Sequence, residues 1–159
     1  MELAALAEHL NSSFKVASRM TYARRPHPPQ PADLRGLDEG ERFIDGGALW
    51  CRRTLQSQLQ ELRVVVSESA KLDMVNLLSW RIDNVKAFIS QLAAAHYLNS
   101  QWCYTTKGSI AYAADAYCMG FNRHTGVENQ RTDPWVYFKF SVIEKTGSIL
   151  VLSAHPERK

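Results

Sequence analysis

The sequence lacks the features that mark secreted and membrane-spanning proteins. No stretch reaches the roughly 18 consecutive apolar residues of a spanning helix, because Arg, Asp, Lys or Glu interrupts each hydrophobic region. The opening residues, MELAALAEH, contain acidic groups where a secretory signal has a basic end and an unbroken apolar run. We therefore expect a soluble protein of the cytoplasm.

Cysteine is scarce, and neither sign of charge strongly predominates. The three cysteines, Cys51, Cys103 and Cys118, are an odd number at unpatterned spacings, which fits reduced cytosolic thiols better than a disulfide framework. The formal net charge is +3, and residues 1 to 70 contain nine Lys and Arg against nine Asp and Glu. So small a basic excess gives little support to a polyanionic partner.

The sequence also lacks the short motifs of the common enzyme classes. It contains no G-x-S-x-G, H-E-x-x-H or G-x-G-x-x-G pattern and no phosphate-binding loop with its lysine. Zinc sites usually show paired ligands such as C-x2-C, whereas the cysteines and histidines here are scattered singly. We expect a protein that is not an enzyme and that needs neither a cofactor nor a metal ion.

What is present is an ordinary globular composition. Hydrophobic residues make up 45% and charged residues 22% of the 159 residues, enough to bury roughly two-thirds of the unfolded surface. We expect one domain over residues 1–159, with a helical part to about residue 99 and a β-rich part over about 100–155.

The first 31 residues predict a helix and a stiff connection. The apolar residues that share one helical face are Leu3, Leu6, Ala7, Leu10, Phe14 and Ala17. The Pro-rich stretch 24–31 excludes helix, because proline lacks a backbone donor and fixes φ.

Two further apolar stripes predict an antiparallel helical hairpin. The first stripe starts near Ala48 and comprises Cys51, Leu55, Leu59, Leu62 and Val66. The second is a heptad seam of Val75, Leu78, Ile82, Val85, Ile89, Leu92 and His96. The stripes are out of phase, and one continuous helix would bury Asp73 and Asp83 among leucines, so we expect a break near 67–70. Such a hairpin would also offer a homodimer surface.

The last third of the chain predicts strands. Residues 102–106 are β-prone, and 135–143 with 148–153 indicate a β-hairpin around the glycine-bearing turn EKTG. Residues 109–119 fit either a short helix capped by Ser109 or a buried strand, and their alanines favour the helix. The predicted fold class is α+β, with N-terminal helices packed on a small C-terminal antiparallel sheet.

A thiol site is one functional hypothesis. Cys118 has His124 six residues away, with Asp115 and Glu128 nearby, and these are the residue types of a cysteine nucleophile and its base. At the end of a helix, however, the helix dipole would raise the pKa of the thiol, and glycines on both sides place His124 in a turn. We rank this thiol-dependent enzyme below a binding protein.

Aromatic residues support the binding interpretation. Residues 102–140 contain nine of the sixteen aromatics, more than one face of a small sheet can bury. Trp, Tyr and Arg dominate interface hot spots. The predicted partner-binding residues are Phe121, Asn122, Arg123, Asn129, Arg131, Trp135 and Tyr137.

The function predicted from these patterns is the binding of another protein or protein complex, as a non-catalytic adaptor or stoichiometric inhibitor. The profile also fits the inhibitors that phages and mobile elements direct against host defence, an anti-CRISPR among them. The alternative partner is a nucleic acid, for which Arg52, Arg53, Arg123 and Arg131 would supply the basic contacts.

Overall fold

The computed structural model describes residues 39–105, 110–129, 131 and 135–157. The helix predicted up to Met20 and the Pro-rich connection 24–31 lie outside these residues. Within them, no helix is long and apolar enough to cross a membrane. The structure is dominated by a seven-stranded mixed sheet, with short helices on one face.

The strands follow the order β1-β3-β4-β6-β7-β2, and β5 pairs with β4 beside this path. Their bounds are β1 Phe43–Ile44, β2 Arg63–Val66, β3 Tyr97–Tyr104, β4 Ala111–Asn122, β5 Val127–Glu128, β6 Trp135–Ile143 and β7 Ser148–Pro156. All neighbours are antiparallel except β2, which runs parallel to β7. The predicted hairpin is confirmed as β6 and β7, and Gly147 adopts the positive φ of 65° in the turn between them.

Three short helices lie between the strands. Their bounds are α1 Arg52–Ser57, α2 Glu68–Asp73 and α3 Ile82–Gln91, with a π-helical turn over Met74–Leu78 and 3-10 turns over Glu39–Arg42 and Ala94–His96. Ser67 caps α2 by accepting a hydrogen bond from the Ala70 N–H, and the Asn84 side chain accepts one from the Arg81 N–H at the start of α3.

The predicted helical hairpin is wrong, and so is the α+β arrangement built on it. The first stripe ends in β2, because three consecutive valines, Val64 to Val66, favour extended backbone over helix. The heptad seam breaks at Ser79, which has a left-handed φ of 54°, and again after α3. The described residues therefore contain no helical hairpin through which a homodimer could form.

The prediction of a short helix over 109–119 is also wrong, because residues 111–119 open the long strand β4. Alanine favours helix locally, but β4 lies between β3 and β6 and pairs with β3 over 111–117 and with β6 over 115–120. Nearly every β4 residue is buried, so the period-2 pattern of a half-exposed strand disappears. Tertiary pairing thus overrides local propensity.

The helices cover one face of the sheet, here called the inner face. Phe88 of α3 contacts the rings of Trp80, Phe121 and Phe138, with centroid distances of 5.1 to 5.4 Å. A second, smaller buried cluster consists of Cys103, Ala114, Leu150 and Leu152, all from strands. These residues, like Cys118 and Tyr137, belong to the opposite or outer face of the sheet, since side chains alternate along a strand.

Candidate functional site

An aromatic strip on the outer face is the candidate functional site. Trp135 and Tyr137 point to the same side of β6, while Val136 and Phe138 between and beyond them are buried in the inner core. Tyr137 stacks on His155 of β7, with ring centroids 5.1 Å apart and an interplanar angle of 18°. We call Trp135, Tyr137 and His155 the aromatic strip.

The strip is held in place by its neighbours in the sheet. Gly120 of β4 lies opposite Trp135, and a Cβ at Gly120 would lie 3.4 Å from the indole ring and 2.2 Å from the Asn129 carbonyl oxygen. Glycine is thus required there for the close approach of the backbone of Asn129. The Gln101 side chain reaches the Tyr137 hydroxyl at 3.4 Å. Trp135 remains 36% exposed.

The other predicted contact residues take different positions. Phe121 is only 3% exposed and belongs to the core. The Asn122 Oδ1 accepts hydrogen bonds from the backbone of His124 and Thr125, so this side chain shapes the turn after β4. Arg123 points toward the Ser79 carbonyl, at 3.5 Å.

Asn129 lies beside the strip, and Arg131 is connected to it through Asn129. The Asn129 backbone packs over Gly120, beside Trp135, and its side chain accepts a hydrogen bond from the exposed Arg131. The structure therefore associates Asn129, Arg131, Trp135 and Tyr137 and separates them from the first three.

The thiol hypothesis loses support from the surroundings of Cys118. Burial first, and the carboxylate of Glu157 second, together raise the pKa of this thiol to about 11. A nucleophilic cysteine needs the opposite environment, one that stabilises the thiolate. His124 lies in the exposed turn 123–126. At neutral pH the Cys118 thiol is therefore protonated.

A buried carboxylate that the sequence analysis named only as a neighbour of Cys118 lies at the centre of the sheet. Asp115 is 0% exposed and accepts hydrogen bonds from the backbone of Leu49 and Trp50, each at 3.0 Å, and from Ser100 Oγ at 2.5 Å. The Tyr97 hydroxyl lies 2.7 Å from Ser100 Oγ. The signal in the sequence was a lone acidic residue inside the otherwise apolar run AYAADAYCMGF.

The Asp115 network borders a cleft of about 530 Å³ beside the start of α1. Arg52, Arg53, Tyr97 and Tyr117 are among its lining residues, and none of the described lining residues is acidic. Arg52 also donates a hydrogen bond to the Leu92 carbonyl at the end of α3. The structure thus brings together Arg52 and Arg53, but Arg123 points elsewhere.

Neither a metal site among the described residues nor a related protein indicates the function of these sites. The described residues contain no group of three or more His, Cys, Asp or Glu side chains placed to hold a metal ion. Comparison of the chain with protein-family models, with curated proteins and with solved structures found no match.

Proposed function

We propose that this chain is a non-catalytic protein that acts by binding another protein, as an adaptor or stoichiometric inhibitor, through the aromatic strip. The observation that carries this proposal is the exposed indole of Trp135 beside Tyr137, itself stacked on His155. Large aromatic rings that are fixed before binding lose little conformational entropy when a partner covers them.

The polar groups around the strip suit a protein partner. The Asn129 backbone lies beside Trp135 and its side chain accepts a hydrogen bond from the Arg131 N–H, while Gln101 and Lys139 flank Tyr137 on the outer face. Protein interfaces combine an aromatic centre with a polar rim of this kind. A host defence complex as the partner stays a prediction from the sequence profile.

Partner capture from a lysate of the source organism tests the proposal. The tagged wild-type chain is compared with Trp135→Ala, with Tyr137→Ala and with the control Tyr104→Ala, whose aromatic ring is 37% exposed and so matches Trp135. We expect one discrete protein to be retained after nuclease treatment, lost with both strip variants and kept by the control. A protein retained equally by all four chains would contradict the proposal, provided that circular dichroism shows each variant folded.

The cleft at Arg52 and Arg53 supports a second candidate function, nucleic-acid binding, because its described lining contains two guanidinium groups and no acid. A labelled single-stranded oligonucleotide provides the test. Nucleic-acid binding predicts affinity that falls steeply with added salt and a weaker complex for Arg53→Ala, with Arg81→Ala as the control. Equal, salt-independent binding by the wild type and both variants would exclude the cleft as a nucleic-acid site.

A further inference from the structure

Strand β2 is the longer of the two edge strands of the sheet in the described part of the chain. It is the last strand in the order and pairs only with β7. The Ser67 N–H donates to the Val151 carbonyl at 3.0 Å. Because backbone groups alternate along a strand, those of Val65 also face β7, whereas those of Val64 and Val66 face the open side. This edge thus presents donors and acceptors in a regular array.

An apolar groove of about 660 Å³ runs beside this edge on the inner face. Its apolar lining residues are Val64, Val66, Met74, Val75, Trp80 and Ile82. Val75 is 52% and Ile82 40% exposed, although both were predicted to lie on a buried heptad seam. Val64 and Val66 thus line the groove and also direct their backbone groups away from β7.

The charged residues of the groove are Lys71, Arg81 and Asp83, so its lining is net positive. If a second copy of the chain paired with this edge, the two net positive grooves would face each other, and like charges repel. A partner segment with acidic residues complements the groove better. Only an extended segment can form backbone hydrogen bonds with Val64 and Val66, because the backbone groups of a helix are already bonded to one another.

We propose that β2 accepts an extended segment of a partner protein as an added strand, with apolar side chains at alternate positions that fill the groove and an acidic residue that pairs with Lys71 or Arg81. This site is separate from the aromatic strip and does not depend on it. Hydrogen bonds to Val64 and Val66 supply the register, and the groove selects the side chains.

Peptide selection on the full chain tests the proposal. Random peptides of about 12 residues, long enough to span an edge strand, are displayed on phage and selected on the wild-type chain. We expect the selected peptides to alternate apolar residues and to contain Asp or Glu. Their affinity, measured by fluorescence polarisation, should fall at least about tenfold with Val75→Glu.

The matched control is Leu77→Glu, because Leu77 is 53% exposed on the same π-helical turn but does not line the groove. This control and Trp135→Ala should bind the peptides as the wild type does. Failure of the aromatic strip would leave this result unchanged, so the two proposals are tested separately. Peptides that bind Val75→Glu as tightly as wild type, or no selected peptide at all, would overturn the added strand.

Backbone methylation of a selected peptide tests the hydrogen bonds themselves. In an added strand only alternate residues direct their N–H groups to β2, so N-methylation should weaken binding at alternate positions and spare the positions between. Equal effects at both sets of positions would rule out strand addition. Light scattering completes the test, since a dimer that Val75→Glu dissociates would show that a second copy occupies the edge.

Discussion

The carboxylate of Asp115 holds the loop 47–51 against the middle of the sheet. It lies on the inner face of β4 and accepts hydrogen bonds from two buried backbone N–H groups and from the Ser100 hydroxyl. The loop that it fixes forms one wall of the cleft at Arg52. One acidic residue thus determines the shape of a region far from it in sequence.

Replacement of Asp115 by Asn should destabilise the fold by about 2–4 kcal/mol, because the amide removes a charge and brings donor hydrogens against the donors of Leu49 and Trp50. Urea unfolding monitored by circular dichroism measures the change. The control is Asp83→Asn, since Asp83 is exposed at the start of α3. A loss of unfolding free energy no larger than that of the control would show that the hydrogen bonds of Asp115 contribute little to stability.

The raised pKa of Cys118 predicts a specific pH dependence of alkylation. Only the thiolate reacts, so the rate of iodoacetamide labelling should climb with pH until about 11. Glu157→Gln should lower the pKa and speed the reaction at any pH below it, because it removes a negative charge that opposes ionisation. Peptide mapping by mass spectrometry separates Cys118 from the other thiols.

The control for this experiment is Glu144→Gln, an exposed residue in the β6–β7 turn. A plateau of the wild-type rate near the ordinary thiol pKa of about 8.5 would contradict the predicted environment.

At the scale of elements, Gly120 of strand β4 determines how closely the following segment can approach the strand. Gly120 allows the backbone of Asn129 to cross the strand, and the Asn129 N–H donates to the Gly120 carbonyl at 2.8 Å. The crossing lies next to Trp135 and so supports the aromatic strip.

Gly120→Ala should therefore destabilise the chain by about 1–3 kcal/mol, because the added Cβ would overlap a backbone oxygen that cannot rotate away. It should also weaken partner capture, since Trp135 lies beside the displaced backbone. Thermal unfolding provides the measurement. Gly40→Ala is the control, because a Cβ there meets no atom within 4 Å. Equal unfolding temperatures for the two variants would refute the close contact.

Elements with a strong local signal could be predicted from the sequence, and those decided by distant pairing could not. The β6–β7 hairpin has alternating residues and a turn glycine, so its prediction required only local information. Strand β2 has four residues and pairs with a strand far away in sequence, and the preceding leucines share a helical spacing. The three valines favour extended backbone, but Val66 also continues the helical spacing, so the local signal is ambiguous.

The candidate site was predictable only in part, for the same reason. Trp135 and Tyr137 follow from the alternation along β6, which places them opposite the core residues. Their neighbours His155 and Gly120 come from β7 and β4, and their positions depend on strand register. Phe121 was predicted to lie on the surface because residues 102–140 contain more aromatics than one face of a small sheet can bury, but it belongs to the core.

At the scale of the whole molecule, the described residues form a sheet whose central strands are paired on both sides and whose last strand, β2, is paired on one side. Strands β4, β6 and β7 each have neighbours on both sides, whereas β2 has one. Stability against local opening should follow this order, because central strands exchange their amide hydrogens only through large openings.

Hydrogen exchange followed by NMR should show a pattern within β2 itself. The amides of Val64 and Val66 face the open side and should exchange at least about tenfold faster than that of Val65, which faces β7. The amides of Val136 and Phe138 in β6 serve as the protected reference. Equal protection of the three valines would mean that another part of the chain covers this edge.

The parallel pair of β2 and β7 also fixes an order of events during synthesis. Arg63 pairs with Ser148, so about 85 residues must be added before β2 can find its neighbour. Contacts between segments this distant form slowly, because the intervening loop must close first. On the ribosome, three consecutive valines therefore emerge long before they have a strand to pair with, and in this interval the chain is most exposed to chaperones and to aggregation.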